Sequence, residues 1–213
     1  MREDDRGVAL DADLAKTLSS RSDTPVQAAE ATALYVCATR ELFEEAGVFL
    51  VREPSGQLLT VGDTDVAAQE RLESLRLALQ AGELAIDDVL HDNTWLPAFD
   101  RLVPFSHWIT PRAVHARFDT RFFVAELPPG QSALHDSIET SEGVWLSPSR
   151  ALEADYHTVY ATAQHLHRLS PFRRVADLLE FARTKPIAMV SPEVVDRGEG
   201  RQVFIRPEIA ETW

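Results

Sequence analysis

Apolar residues recur at helical intervals over residues 24–47, and this pattern predicts one long helix. Thr24 is its predicted N-cap, with Pro25 at the first helical position and Gln27 completing a capping box. Gly47 is typical of the left-handed residue that follows the last turn of a helix. The sequence therefore predicts where this helix begins and where it ends.

After this helix the pattern alternates between strand-like and helical runs. Residues 64–92 place Leu and Ala at a period of 3.6 among charges, which predicts two short helices that break near Gly82. The runs with aromatic and β-branched residues or short apolar character predict strands at 48–51, 102–110, 116–127, 141–147 and 201–206. Helical patterns cover residues 149–169 and 171–185, while the charge-rich residues 1–23 predict no strand.

This order of elements predicts a mixed α/β fold rather than a helical bundle or a β-sandwich. We expect a single domain over residues 1–213, with residues 64–92 as a helical insertion and residues 186–213 as a tail of unknown role. The length and the 45% hydrophobic content suit one buried core.

The charge balance excludes several classes of function. The chain has 21 Lys and Arg against 34 Asp and Glu, a net charge of −13, so we expect it to bind neither nucleic acid nor an anionic membrane. One cysteine, Cys37, cannot form an internal disulfide, and the sequence shows neither an apolar membrane span nor a signal peptide. The default expectation is a cytoplasmic protein.

The run from Arg40 to residue 48, R-E-L-F-E-E-A-G-V, is the segment most suggestive of chemistry. At about 100° per residue, Glu41, Glu44 and Glu45 share an arc of roughly 100° on one side of the predicted helix. Such carboxylates repel one another unless a cation joins them, and all-oxygen ligands favour Mg²⁺ or Mn²⁺. A merely solvated, acidic helix face is the alternative reading of the same spacing.

The same run matches the second half of the Nudix hydrolase signature, so the chain resembles that family. Further blocks at 107–111, 117–123, 139–140 and 145–148 resemble the branch similar to mammalian peroxisomal coenzyme A diphosphatase.

The first half of the signature is out of register, because Thr32 and Val26 stand where it requires Glu and Gly. That branch has a long insertion after its Gly-Gly loop. We therefore expect that this chain starts just after the loop and lacks the leading strands, which an in-frame Phe-Pro-Gly-Gly upstream of the Met1 codon would test.

The resemblance implies a Nudix-type α/β/α sandwich with a mixed sheet, and hydrolysis of a pyrophosphate within a nucleoside diphosphate conjugate. Glu44 and Glu45 would be metal ligands, and Glu41 would bind metal or act as base toward the attacking water. Arg40 would hold Glu41 in its productive rotamer through a charge-assisted hydrogen bond. Glu139, with Glu142 as its rival, would supply a further general base or ligand.

Several side chains keep two readings. Arg117 and Arg121 could contact substrate phosphates or could line the solvated side of a strand. Trp108 and Phe105 could stack on a base, although core packing is the favoured reading. Zinc binding by the histidines at 165 and 167 is disfavoured, because side chains two residues apart on a helix point away from each other. We expect the side chain of Cys37 to be packed.

Two functions therefore follow from the sequence. The first is a Mg²⁺- or Mn²⁺-dependent pyrophosphohydrolase that acts on coenzyme A, its derivatives or another small nucleoside diphosphate conjugate. The second is a catalytically silent Nudix-like binding or interaction module. Missing strands would expose a sheet edge, so a homodimer is also expected.

Overall fold

The structure is a computed structural model that describes residues 10–62, 65–133, 144–154, 156–196 and 201–213. The chain divides into two compact units. The first unit takes its described residues from 1–16, 27–102 and 125–143, and the second takes them from 17–26, 103–124 and 144–213. The predictions of a single domain, an insertion and a tail stay predictions.

Helices and short strands alternate along the chain. In order, the described elements are α1 (Ala12–Arg21), α2 (Ala28–Ala46), β1 (Val51–Arg52), α3 (Val66–Gln80), α4 (Ile86–Asp92), β2 (Leu96–Pro97), β3 (Val103–Ile109), β4 (Asp119–Val124), α5 (Pro148–Glu153), α6 (Tyr160–Leu169), α7 (Val175–Thr184), β5 (Met189–Val190), β6 (Glu193–Asp196), β7 (Arg201–Phe204) and α8 (Pro207–Ala210). None of the helices in this part of the chain has the length and apolar composition that crossing a lipid bilayer requires.

The first unit is built on α2 and on the predicted helical pair, α3 and α4. Phe43 of α2 stacks on Phe49 with ring centroids 4.1 Å apart, and both side chains are buried. The apolar sides of α3 and α4 complete this core with Leu79 and Val89. The helix break near Gly82 is present, and that glycine has a φ of +67°, a conformation that disfavours residues with a Cβ.

The second unit contains a mixed sheet in the order β4-β3-β5. β3 lies antiparallel to β4 and parallel to β5, and all of its residues but the last are buried. Leu179 and Ala182 of α7 pack against Val103 and Phe105 of β3. A separate antiparallel hairpin is formed by β6 and β7.

The predicted start of the long helix is wrong. α2 begins at Ala28, its N-cap is Gln27 with extended backbone, and no side chain caps it. Residues 24–27 are not helical, because Val26 is buried and its amide donates to the Ser19 hydroxyl at 3.2 Å. The predicted end of the helix is confirmed: Gly47 has a φ of +67° and donates its amide to the Phe43 carbonyl.

Two strand predictions also need correction. In residues 48–51 only Val51 belongs to a strand, although all four residues are buried, because the backbone of Phe49 hydrogen-bonds to the side-chain amide of Gln131 instead of to a strand. Residues 144–147 form no strand, and residues 141–143 lie outside the described part of the chain. Within the charge-rich start, α1 is a helix that the sequence pattern did not predict.

Candidate active site

The acidic motif occupies the C-terminal half of α2, in the first unit. Tyr35, Thr39 and Phe43 form the buried side of the helix, so the motif's carboxylates fall on the opposite, accessible side as their spacing predicts. The side chain of Glu41 is 45% exposed, whereas that of Glu44 is only 12% exposed. α2 therefore presents one shielded carboxylate next to more accessible ones.

Arg40 connects two of these carboxylates. One terminal guanidinium nitrogen, Nη1, donates to both oxygens of Glu44 at 3.0 Å, and the other, Nη2, donates to Glu41. Burial alone would lower the pKa of Arg40, but the charge of Glu41, a hydrogen bond with Cys37 and the charge of Glu44 outweigh it, so this pKa is raised. The contact that the orienting role of Arg40 requires is present, and the role itself stays a prediction.

The backbone of Glu44 is held from α3. Its carbonyl oxygen accepts a hydrogen bond from Nε of Arg76 at 2.9 Å and another from the Gln80 amide at 2.6 Å. Arg76 also donates to the carboxylate of Glu73 at 3.1 Å. The helix that the sequence predicts as an insertion thus contacts the very turn that carries the acidic residues.

A cavity of about 270 Å³ lies beside this end of α2. Gly47, Glu73, Arg76 and Gln131 contribute to its wall, together with apolar side chains. Phe43 also lines the cavity and Glu41, Glu44 and Glu45 do not, so the cavity lies toward α3 rather than on the acidic side of α2.

The donor set of α2 fits a hard divalent cation. Its potential ligands are carboxylate oxygens, and Mg²⁺ commonly takes one or two protein carboxylates and completes its shell with water and substrate phosphates. Within the described residues, no three acidic, His or Cys side chains already surround one point. Glu139 and Glu142 lie outside the described residues, so the prediction of a later base or ligand stays a prediction.

Arg117 and Arg121 belong to the second unit. Arg117 precedes β4, is exposed, and donates to the Thr110 carbonyl at 3.4 Å, so it lies outside the strand, although the predicted strand over residues 116–127 includes it. Arg121 lies on β4 and donates to the Ser22 hydroxyl at 3.3 Å. Asp119 contacts His107 at 2.6 Å. Substrate binding by the two arginines stays a prediction.

The remaining side chains singled out by the sequence divide clearly by burial. Trp108 and Phe105 are 5% and 1% exposed, which agrees with the favoured reading of core packing. Cys37 is exposed, so its predicted packing is wrong. It lies one turn before Glu41 on the accessible side of α2, because the buried stripe of the helix passes through Tyr35 and Thr39 instead.

A family model described as the NUDT19 Nudix domain matches residues 11–163 of the chain. The chain belongs to the Nudix family. The motif on α2 and the match together confirm the predicted resemblance, including its coenzyme A diphosphatase-like branch.

Relatives and a solved structure extend this assignment. This Nudix chain is 30% identical over 157 residues to "Acyl-coenzyme A diphosphatase NUDT19" of Xenopus laevis, a match that covers 68% of the chain and 40% of the relative. The human protein of the same name is 28% identical over 188 residues, covering 79% of the chain and 47% of the relative. The chain thus spans less than half the length of these curated relatives.

A crystal structure of a Nudix hydrolase from Alicyclobacillus acidocaldarius shares the fold. Its TM-score is 0.55 at 23% identity, with 78% of this chain and 75% of that chain covered. The likeness confirms the predicted mixed α/β Nudix fold with its helices and mixed sheet.

Three residues around the Nudix helix escaped the sequence analysis: Arg76, Gln80 and Gln131. Gln131 binds the backbone of Phe49 through both ends of its amide. A signal for Arg76 exists in the sequence, since it stands on the apolar stripe of α3 between Leu72 and Leu79, where a charge is unexpected. Gln80 and Gln131 give no such local signal.

Proposed function

We propose that the chain is a divalent-cation-dependent pyrophosphohydrolase of nucleoside diphosphate conjugates, with coenzyme A derivatives as the favoured substrates. The observation that carries this proposal is the Nudix helix α2, which aligns Glu41, Glu44 and Glu45 on its accessible side within the region that the family model matches. The names of the relatives support the choice of coenzyme A derivatives.

Each acidic residue of the motif would have its own role in hydrolysis. Glu44 and Glu45 would hold Mg²⁺ or Mn²⁺, which when bound would neutralise the charge that develops on the phosphoryl oxygens. Glu41 would bind metal or accept the proton of the attacking water. Arg40 would fix the rotamer of Glu41 through the hydrogen bond between them. Glu139 would be a further base.

One observation favours the alternative of a silent binding module. Arg40 pairs with both Glu41 and Glu44, so these carboxylates already have a positive partner. The hydrolase proposal requires that a cation shares or displaces this pairing. An accessible guanidinium, 37% exposed, allows such a displacement because ion pairs at exposed positions contribute little.

A direct assay separates the two functions. The purified chain is incubated with Mg²⁺ or Mn²⁺ and with coenzyme A, an acyl-coenzyme A, ADP-ribose, NADH or a dinucleoside polyphosphate. Glu44→Gln is expected to lose at least about 100-fold in rate, because even altered support of a metal ligand costs 10–100-fold. Glu30→Gln, at an exposed position in the first turn of the same helix, is the matched control and should keep full activity. Equal background hydrolysis in all three proteins would refute the hydrolase proposal.

A further inference from the structure

The last turn of α2 has a support that a helix terminus does not have by itself. The final carbonyl groups of a helix lack partners within it. In α2 the Phe43 carbonyl accepts the amide of Gly47, and the next carbonyl, that of Glu44, accepts two side-chain donors from α3. This carbonyl is therefore tied to a helix that lies more than 20 residues further along the chain.

One of the two donors, Arg76, is held by a second partner. Arg76 is 2% exposed, and a guanidinium is buried at acceptable cost only when its donors are satisfied. Its Nε donates to the Glu44 carbonyl and its Nη1 to the Glu73 carboxylate. Its positive charge also lies at the negative end of the α2 dipole, where a cation is favourable. Gln80, one turn further along α3, donates to the same oxygen.

The carbonyl in question belongs to the most shielded carboxylate of the motif. The side chain of Glu44 is 12% exposed, and its two oxygens are equidistant from Nη1 of Arg40. Because backbone and side chain of one residue share the same Cα, a displaced peptide at this position would redirect the carboxylate.

We propose that Arg76 and Gln80 are positioning residues that hold the Glu44 turn of α2 and so aim the Glu44 carboxylate. Helix α3 is then a support for the acidic face. Its effect on cation binding rests on the proposed function, whereas the positioning of the turn does not. Arg76 and Gln80 do not contact the reacting atoms in this scheme.

The test compares Arg76→Met and Gln80→Met with Leu79→Ala. Leu79 lies on the same helix and is buried, so its truncation weakens the packing of α3 and leaves both donors in place. Binding of Mn²⁺ is measured by calorimetric titration of the full chain, at a temperature where circular dichroism shows each variant folded. We expect each Met variant to bind Mn²⁺ about tenfold more weakly, as when other groups that orient a metal ligand are removed. Leu79→Ala should lower the melting temperature and keep the Mn²⁺ dissociation constant within about twofold.

Amide hydrogen exchange provides a readout that needs no cation. The Gly47 amide, which closes the last turn, should exchange about tenfold faster in both Met variants because the local opening free energy falls, and should be unchanged in Leu79→Ala. If the unaltered chain binds no Mn²⁺, the proposed function fails, and the exchange data still decide on the positioning. Unchanged exchange in the Met variants, or an equal loss of Mn²⁺ affinity in Leu79→Ala, would overturn the inference.

Discussion

Polar side chains on the accessible side of α2 and those in the interior of the second unit differ in their exposure to solvent. On α2, Glu41 and Glu44 meet Arg40, whose side chain is itself 37% exposed. In the second unit, His165 and Lys185 are largely buried and hydrogen-bond to other groups of the unit. A buried polar group whose hydrogen bonds are made within the protein stabilises the fold. A charged group in a solvent-accessible ion pair can instead exchange its partner for a ligand. The contrast supports the proposal that the chemistry takes place on α2.

His165 illustrates the internal kind. Its Nδ1 donates to the Ala161 carbonyl at 2.7 Å, so Nε2 is the acceptor for the Ser106 hydroxyl at 2.6 Å. Burial, aided by the charge of Lys185, lowers the pKa of His165 to about 4 although the bond to Ala161 raises it. The imidazole is therefore neutral at neutral pH and is held in one tautomer by its neighbours.

Lys185 is the second example. Its Nζ donates to the Phe105 carbonyl at 2.6 Å and lies 4.9 Å from the centre of the Phe105 ring. Burial lowers its pKa to about 8, helped by the charges of Arg168 and Arg21. The ammonium group thus remains mostly charged at neutral pH, with a fixed acceptor inside the fold.

The largest expected effect on stability is that of His165→Ala. The ring of His165 packs at 4.3 Å from that of Phe122 and at 5.3 Å from those of Trp108 and Trp213, so truncation opens a cavity and leaves the Ser106 hydroxyl without its partner. We expect the free energy of unfolding to fall by about 3 kcal/mol. Urea unfolding followed by tryptophan fluorescence measures it.

His167→Ala is the matched control for that variant. His167 is exposed on the same helix, and we expect a change below about 0.5 kcal/mol. An equal decrease in the free energy of unfolding for the two variants would contradict the internal role of His165, and with it the contrast between α2 and the second unit.

An intermediate effect is expected from pH. The pKa of His165 is about 4 in the folded chain against about 6.5 when unfolded, so between these values the unfolded chain binds more protons. The free energy of unfolding should therefore fall as the pH is lowered from about 6.5 to 4, by about 2 kcal/mol for this group. Carboxylates contribute to acid unfolding as well, so the difference between the unaltered chain and His165→Phe is the quantity to measure. Parallel stability curves for both proteins would show that this histidine is not buried in its neutral form.

The acidic side of α2 could be predicted from the sequence because its causes are local. A spacing of three and four residues fixes which side Glu41, Glu44 and Glu45 share, and Gly47 supplies the left-handed conformation that ends the helix. The mixed α/β class likewise follows from the order of the runs. Local periodicity and helix-terminating residues can be recognised without knowing which distant residues they contact.

One wrong strand prediction and the missed support of α2 have long-range causes. Phe49 bonds to a glutamine 82 residues away rather than to a strand. Arg76 and Gln80 reach the Glu44 carbonyl across 32 and 36 residues. No window of sequence contains both partners of such a bond, so a single sequence predicts the acidic face and leaves its support from α3 unseen.

The smallest expected effect on stability, below about 1 kcal/mol, is that of Arg40→Gln, because Arg40 and Glu41 are 37% and 45% exposed and water can replace the lost donor there. The hydrolase proposal expects a different consequence for function. Without Arg40, Glu41 loses the donor that orients it, and the rate of hydrolysis should fall about tenfold. Affinity for Mn²⁺ should stay the same or increase, because Glu41 and Glu44 lose their competing partner. Unfolding, turnover and calorimetric titration measure the three quantities.

Arg52→Gln gives this last prediction its control. Arg52 pairs with Asp100 at 2.7 Å in the same unit and stands outside the acidic motif, so its loss should change stability by a similar, small amount and leave turnover unchanged. A fall in stability of several kcal/mol in Arg40→Gln would mean that the α2 pairing is structural, as the buried polar groups of the second unit are. A fall in turnover with stability and Mn²⁺ affinity preserved would instead separate the two regions by function, since the pairing would then matter only where a ligand competes for it.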